Sequence, residues 1–319
     1  MIRLILNRIK VIIPMLIIVS IIAFGLLELA PGDPADAYIN PLMSREDIAL
    51  VRENMGLDKP VYIRYFNWAK NTLKGNFGVS YINHMSVGPQ ILEKFINTLI
   101  LMGTSLLFSI LISIPLGTLL ALKKNSLLDK IITGVSYIGL SLPSFWIGMI
   151  MIAIFSVRLG WLPTGGMYTI GNEGIFDLIR HLVLPVITLS LYNTAVFINY
   201  IRTSVEIELK EDYIITAKAK GLSTLGIILR HVLKNSLTSL VTILGMSMQR
   251  LVTGAFVTEV VFSWPGMGRF MIDSIFARDY PVIMAITMIS SLFLIGGNLL
   301  ADILYLVLDP RVKVAKGGF

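Results

Sequence analysis

The chain has 319 residues, of which 55% are hydrophobic and 15% charged, and its mean hydropathy of +0.77 argues against two ordinary soluble domains and against disorder. It contains no cysteine, so disulfides, thiolate metal clusters and a cysteine nucleophile are excluded. The net charge of +7 does not indicate a nucleic-acid partner, because the lysines and arginines lie between apolar runs rather than together on a soluble face.

Six apolar runs are long enough to cross a bilayer as helices, which takes about 20 residues. Four have no charged residue, one carries Glu28 near its end, and one is interrupted by Arg250. Prolines inside three runs are ordinary in membranes, where neighbouring helices satisfy the freed carbonyls. The sequence therefore predicts an all-α integral membrane protein with six transmembrane helices: Val11 to Leu29, Thr98 to Leu122, Ile131 to Val157, Leu182 to Ile201, Ser236 to Val257 and Val282 to Ala301.

Lysines and arginines in the short loops predict the orientation of these spans. The basic loops precede the first span, join the second to the third and the fourth to the fifth, and follow the last. Their residues are Arg3, Arg8, Lys10, Lys123, Lys124, Lys130, Arg202, Lys210, Lys218, Lys220, Arg230, Lys234, Arg311, Lys313 and Lys316. The positive-inside rule places both termini in the cytoplasm of a multi-pass cell-membrane protein. The first span exceeds the roughly 7–15 residues of a signal-peptide core, so we expect it to be retained.

The segment from Pro31 to Asn97 lies outside the cell in this topology. It combines proline and glycine turns with amphipathic stretches such as Ser44 to Met55. Ser44 is a predicted helix N-cap, and Asp47 stands where a capping box places its acidic residue. We therefore expect a small helical extracellular cap.

Motifs of the enzyme classes that fit a membrane protein are missing. There is no Walker A loop, no G-x-S-x-G elbow and no H-E-x-x-H pair. His84, His181 and His231 lie in different predicted segments, which argues against a shared metal site and indicates surface or interface positions. We expect no catalytic residue and no metal or cofactor bound by this chain.

The predicted cytoplasmic loop from Arg202 to Asn235 is long for a compact bundle, and such loops tend to be functional. Its stretch from Tyr213 to Lys220 lacks helix breakers. Asp212 or Glu211 would suit the N-terminal end of a helix, and Gly221 would suit the turn after it. The pattern predicts a short, exposed, basic helix, which is either a solvated connector or a docking element for a cytoplasmic partner.

This loop also resembles a known motif. Asp212-Tyr213, Ala217-Lys218-Ala219-Lys220-Gly221 and residues 230–235 are similar to the EAA loop of ABC-importer permeases, in the form of the peptide and nickel group. Ile215-Thr216-Ala217 occupies the place of the general Glu-Ala-Ala, so the role of that glutamate does not carry over. The resemblance extends through Ala30–Pro34, Gly75–Ser80, Leu142–Trp146, Leu162–Gly166, Glu259–Gly268, Arg278–Pro281, Ala301-Asp302 and Leu308–Arg311. In this order the motifs resemble the first, B-type permease of a dipeptide or oligopeptide importer.

The resemblance implies three segments: an N-terminal helix with the extracellular cap (1–97), a type-I ABC importer core of five helices (98–308) and a cytoplasmic tail (309–319). It implies a heterodimer with a C-type permease, two cytoplasmic ATPase subunits that bind ATP and Mg, an external solute-binding protein and a peptide substrate. The ATPase-coupling loop would comprise Asp212, Tyr213, Thr216, Ala217, Lys218, Ala219, Lys220, Gly221 and Leu222.

Two alternatives stay open at this point. A nickel or cobalt-chelate importer has similar permeases, and selectivity resides largely in its binding protein. From a different class, a channel or an ion-coupled secondary transporter fits the hydropathy. Such a carrier should show acidic or histidine residues in the middle of its spans and often a paired inverted repeat.

Arg250 is a charged residue inside a predicted span. It follows Ser236 by about 14 residues, which at ~1.5 Å per residue places it roughly 21 Å into a ~30 Å core. Because a charge is costly at this depth, we expect Arg250 to face the bundle interior. It either pairs with Glu28, which reaches a similar height in the first span, or lines the channel and attracts a peptide carboxylate.

Overall fold

The computed structural model describes residues 2–31, 35, 43–236, 243–244 and 255–308. Within these ranges the regular structure is helical, apart from two isolated bridges that join Val79 to Ser86 and Thr169 to Asn172. The predicted all-α class is therefore confirmed.

The structure gives the bounds of eleven α-helices and two π-helical segments. The α-helices are α1 (Ile2–Leu29), α2 (Arg45–Asn54), α3 (Val61–Leu73), α4 (Val87–Leu122), α5 (Leu127–Ser141), α6 (Ser144–Met151), α7 (Ile175–Glu208), α8 (Asp212–Ala219), α9 (Thr224–Ile227), α10 (Met267–Phe276) and α11 (Tyr280–Leu308). The π-helical segments Ile152–Arg158 and Ile228–Val232 continue α6 and α9.

Four helices in this part of the chain are long and apolar enough to cross a membrane. They are α1 from Lys10 to Leu29, α4, α7, and α11 from Tyr280 to Gly297. They coincide with the first, second, fourth and sixth predicted spans. Pro115 and Pro185 lie inside α4 and α7 without ending them. The fifth predicted span, Ser236 to Val257, falls mostly outside the described residues and stays a prediction.

The third predicted span is not one continuous helix. α5 and the helical segment from Ser144 to Arg158 are bent by 107°. Leu142 has an extended backbone with φ −89° and ψ 137°, as a residue before proline prefers, and Pro143 has no N–H with which to continue α5. The third predicted span is therefore broken at Pro143 into two helical segments.

The chain forms two compact units, Met1–Thr98 with Pro265–Ile295 and Leu99–Trp264 with Gly296–Phe319. In the first unit, Ser44 caps α2, and the reciprocal contacts with Asp47 form the predicted capping box. The buried carboxylate of Asp279, next to the start of α11, accepts hydrogen bonds from the Ser80 hydroxyl and from the Tyr81 N–H at 3.1 Å. Asp279 thereby fixes the loop that precedes α4.

The second unit is built on close packing of α4 against α7. A Cβ at Gly117 would lie 2.9 Å from the Ile198 carbonyl oxygen, so the helices approach closely at that glycine. The hydroxyls of Ser109 and Ser113 donate to carbonyls within α4 and also lie 3.3 Å from the α7 carbonyl oxygens of Ser190 and Thr194. Small residues and hydroxyl contacts of this kind hold membrane helices together, because lipid provides no hydrophobic drive for their association.

Candidate partner-docking site

The loop after α7 contains the helix that the sequence predicts. α8 runs over Asp212–Ala219, with Glu211 at the N-cap position and Asp212 in the first turn. Gly221 adopts φ +75°, the left-handed conformation that favours glycine, and its N–H donates to the Lys218 carbonyl at 3.0 Å. The predicted helix and glycine turn are therefore confirmed.

Tyr213 connects the two ends of this loop through hydrogen bonds. Its hydroxyl donates to the Glu208 carboxylate at the end of α7 and accepts from the Asn235 amide at 3.1 Å. The same amide donates to Glu208 at 3.2 Å. Burial and the neighbouring Glu208 carboxylate raise the pKa of the Tyr213 phenol, so it stays protonated and keeps donating. Tyr213 thus holds α8 to its own chain.

One face of α8 is buried inside the protein. Ile214 and Ala217 are only 1% and 6% exposed, and they belong to a cluster with Ile201, Val205 and Ile227. The prediction that this helix is simply exposed is therefore wrong for its inner face. The reason is that Ile214 and Ala217 stand three residues apart and so share one side of a helix that packs on α7.

The remaining residues of the predicted loop motif are exposed and mix apolar with basic side chains. Thr216, Lys218, Ala219, Lys220 and Gly221 are exposed. Ile215 and Leu225 are both 65% exposed, and Leu222 and Leu229 are exposed as well. Exposed apolar side chains on a polar loop are candidates for a protein-binding surface. We call Ile215, Leu222, Leu225 and Leu229, with Lys218 and Lys220, the loop face.

A network of ion pairs supports the base of this loop. Arg202 of α7 lies 2.8 Å from the Asp129 carboxylate of α5 and 3.1 Å from Glu206. Glu206 is also 2.6 Å from Lys124, in the connection between α4 and α5. Because Asp129 is 4% exposed and is held by two guanidinium nitrogens, the end of α7 is fixed where the loop begins.

The other two candidate site residues are not part of this loop. Glu28 pairs with Arg64 at 2.8 Å, in the wall of a cavity of about 570 Å³ in the first unit. Arg64 was not predictable from the sequence, because no spacing rule connects α1 with a residue 36 positions later. Arg250 lies outside the described residues, so its pairing with Glu28 or its place in a channel stays a prediction.

His181 occupies a position that the sequence did not indicate. It is buried at 6% exposure, and its Nδ1 lies 3.1 Å from the Gly165 carbonyl. Its Nε2 is 3.5 Å from the Asp177 carboxylate, which also accepts the Thr169 N–H. Of the surface or interface position expected for His181, its burial excludes the exposed surface. Its side chain joins the loop that precedes α7 to the first turns of α7. Among the described residues, no group of three acidic, histidine or cysteine side chains could hold a metal ion.

Two family models together match most of the chain. Residues 113–314 match the family described as binding-protein-dependent transport system inner membrane component. Residues 1–102 match the N-terminal part of binding-protein-dependent transport system membrane components.

Curated relatives match over nearly the whole length. The oligopeptide transport system permease protein AppB of Bacillus subtilis (strain 168) is 41% identical over 97% of this chain and 98% of its own. A putative peptide permease of Brucella suis is 38% identical over 98% of this chain and 100% of its own. The glutathione transport system permease protein GsiC of Escherichia coli (strain K12) is 36% identical over 98% and 99%.

A solved structure supports the fold. A chain of the MetNI methionine ABC transporter, in an inward-facing conformation, is similar with a TM-score of 0.52 and 16% identity. The similarity covers 67% of this chain and 95% of that one. At this identity the likeness concerns the fold alone.

Proposed function

Because the chain belongs to the family of binding-protein-dependent transport system inner membrane components, we propose that it is a permease subunit of an ATP-driven ABC importer and forms half of its channel for short peptides. The observation that carries this proposal is the 41% identity to an oligopeptide permease over 97% of the chain. The relatives named for peptide and glutathione transport agree with a peptide cargo, and they give no support to a metal chelate.

The complete transporter would contain further subunits. A related C-type permease would form the other half of the channel, two ATPase subunits would bind ATP and Mg at the cytoplasmic side, and a binding protein would deliver peptide from outside. Six spans with cytoplasmic termini and an extracellular cap complete the proposal. The fold similarity to a methionine ABC transporter supports its type-I core.

The loop face is the proposed contact with an ATPase subunit. Its apolar side chains Ile215, Leu222 and Leu225 are available to a partner, and Lys218 and Lys220 add positive charge. The inner side of α8 is packed on α7 through Ile214 and is bonded to Glu208 through Tyr213. These contacts would therefore transmit a movement of the ATPase subunit from α8 to α7, and the displacement of α7 would open or close the channel.

Two experiments test this function. In proteoliposomes that contain the full complex, uptake of a labelled oligopeptide should require ATP and the binding protein. Uptake of a nickel chelate without uptake of peptides would contradict the peptide assignment. The contact is tested by Thr216→Cys, which should crosslink to an ATPase subunit, whereas Leu159→Cys, exposed near the end of the π-helical segment after α6, should not.

A further inference from the structure

An exposed aromatic stripe on α3 points to a partner other than protein. α3 lies beside the last turns of α1. The Phe24 ring is 5.5 Å from that of Tyr65 and 6.1 Å from that of Trp68. The Tyr65 hydroxyl lies 2.9 Å from the Ser20 hydroxyl, and Arg64 pairs with Glu28 at 2.8 Å. Four contacts thus fix α3 along the segment of α1 from Ser20 to Glu28.

These contacts determine how deep α3 lies if α1 crosses the bilayer. Lys10–Leu29 is 20 residues long, which at ~1.5 Å per residue matches the ~30 Å hydrocarbon core. On this scale Phe24 lies about 7.5 Å and Ser20 about 13.5 Å below the end of the span at Leu29. Tyr65, which contacts both residues, must therefore reach below the membrane surface, and α3 lies at the boundary between headgroups and acyl chains.

The side of α3 next to this contact is apolar and unusually exposed. Tyr62, Phe66 and Leu73 are 64%, 66% and 89% exposed. At ~100° per residue they fall within about 40° of one another around the helix axis, and we call them the outer stripe. The neighbouring α1 presents Ile21 and Leu26 at 52% and 63% exposure in the same segment. Tyr62 and Phe66 therefore stand within three residues of the α3 side chains that contact this segment of α1.

The charges on α3 also suit a membrane surface. Lys59 precedes the helix, Lys70 stands between Phe66 and Leu73 at about 40° from Phe66 around the helix axis, and Lys74 follows the helix; all three are exposed. An amphipathic helix with aromatic residues on one side and lysines beside them is typical of helices that lie in the lipid interface. Tyrosine at such a level keeps its hydroxyl near the headgroups while its ring contacts the acyl chains.

We propose that α3 is an interfacial helix whose outer stripe is inserted into the lipid leaflet at the C-terminal end of α1. Under the proposed orientation this is the outer leaflet. Part of the predicted extracellular cap is thus immersed in lipid rather than standing in water. The inference depends on membrane insertion of α1, not on the transported substrate.

The absence of cysteine from the chain allows a direct depth measurement. Single spin labels are placed at Phe66→Cys, Tyr62→Cys and Leu73→Cys in the full complex in lipid nanodiscs. Because these side chains are exposed, we expect the variants to fold and to elute as the intact complex. We expect the labels at these positions to be highly accessible to oxygen, which dissolves in acyl chains. Their accessibility to a water-soluble nickel chelate should be at least threefold lower than that of a label at a control position on the same helix.

The matched control is Asn67→Cys, on the next residue of the same helix but facing the cavity, where the label should contact water. The proposal would be overturned if the nickel chelate reached the spin labels at positions 66 and 67 equally well. Low accessibility to both reagents at all three stripe positions would also overturn it, because a protein partner would then cover the stripe. Three independent positions keep the test valid if one variant fails to assemble. The depth is measured identically in either leaflet, so an error in the proposed orientation or cargo would not mimic failure of this inference.

Discussion

Substituting aspartate at two positions of α8 should distinguish its buried inner face from its exposed face. Ala217 is 6% exposed and packs in the cluster that contains Ile201 and Val205, whereas Ala219, two residues on, is exposed. In Ala217→Asp an unpaired carboxylate enters an apolar cluster, which costs roughly 3–5 kcal/mol. Ala219→Asp shares the loss of helix propensity, about 0.5–0.7 kcal/mol, but not the burial.

The two variants should therefore differ in what they lose: Ala217→Asp should lose stability, and Ala219→Asp should lose transport. A typical domain is stable by about 5–15 kcal/mol, so Ala217→Asp should lower the melting temperature of the purified complex strongly or prevent its assembly. Ala219→Asp should leave the melting temperature close to wild type and lower ATP-driven peptide uptake, since it places a negative charge on the proposed ATPase contact. Intrinsic-fluorescence melting and proteoliposome uptake measure the two effects. If Ala217→Asp melts like the wild type while Ala219→Asp is destabilised, the assignment of the two faces of α8 is wrong.

Further predictions follow from backbone geometry and from the subunit assignment. Gly221→Pro should abolish coupling because proline cannot adopt φ +75° and has no N–H for the Lys218 carbonyl, while Gly221→Asn, which tolerates this conformation, should retain most peptide uptake. Gly165→Ala should destabilise the complex, since its Cβ would lie 2.3 Å from the Phe262 carbonyl oxygen; Gly134→Ala, with no atom within 4 Å, is the matched control in a melting experiment. The chain purified without partners should hydrolyse no ATP, because it has no phosphate-binding loop; measurable activity in a clean preparation would refute the subunit assignment.

Local patterns were enough to predict the features that depend on local physics. The length of an apolar run decides whether a helix can cross the bilayer, so α1, α4, α7 and α11 coincide with predicted spans. The end of α8 was predictable because the left-handed turn at Gly221 favours glycine whatever surrounds it. The capping box of Ser44 and Asp47 is equally local.

Tertiary packing decided the features that depend on which surfaces meet. The short helix α8 has apolar residues on more than one side, so its sequence pattern does not show which side packs on α7. Only the tertiary structure shows that Ala217 is buried. The Glu28–Arg64 pair and the burial of His181 depend on contacts between segments that are distant in sequence or joined by an irregular loop. A proline by itself does not determine whether a helix continues, because helices tolerate proline where the surroundings satisfy the freed carbonyls: Pro115 and Pro185 remain inside helices, whereas the chain bends at Pro143.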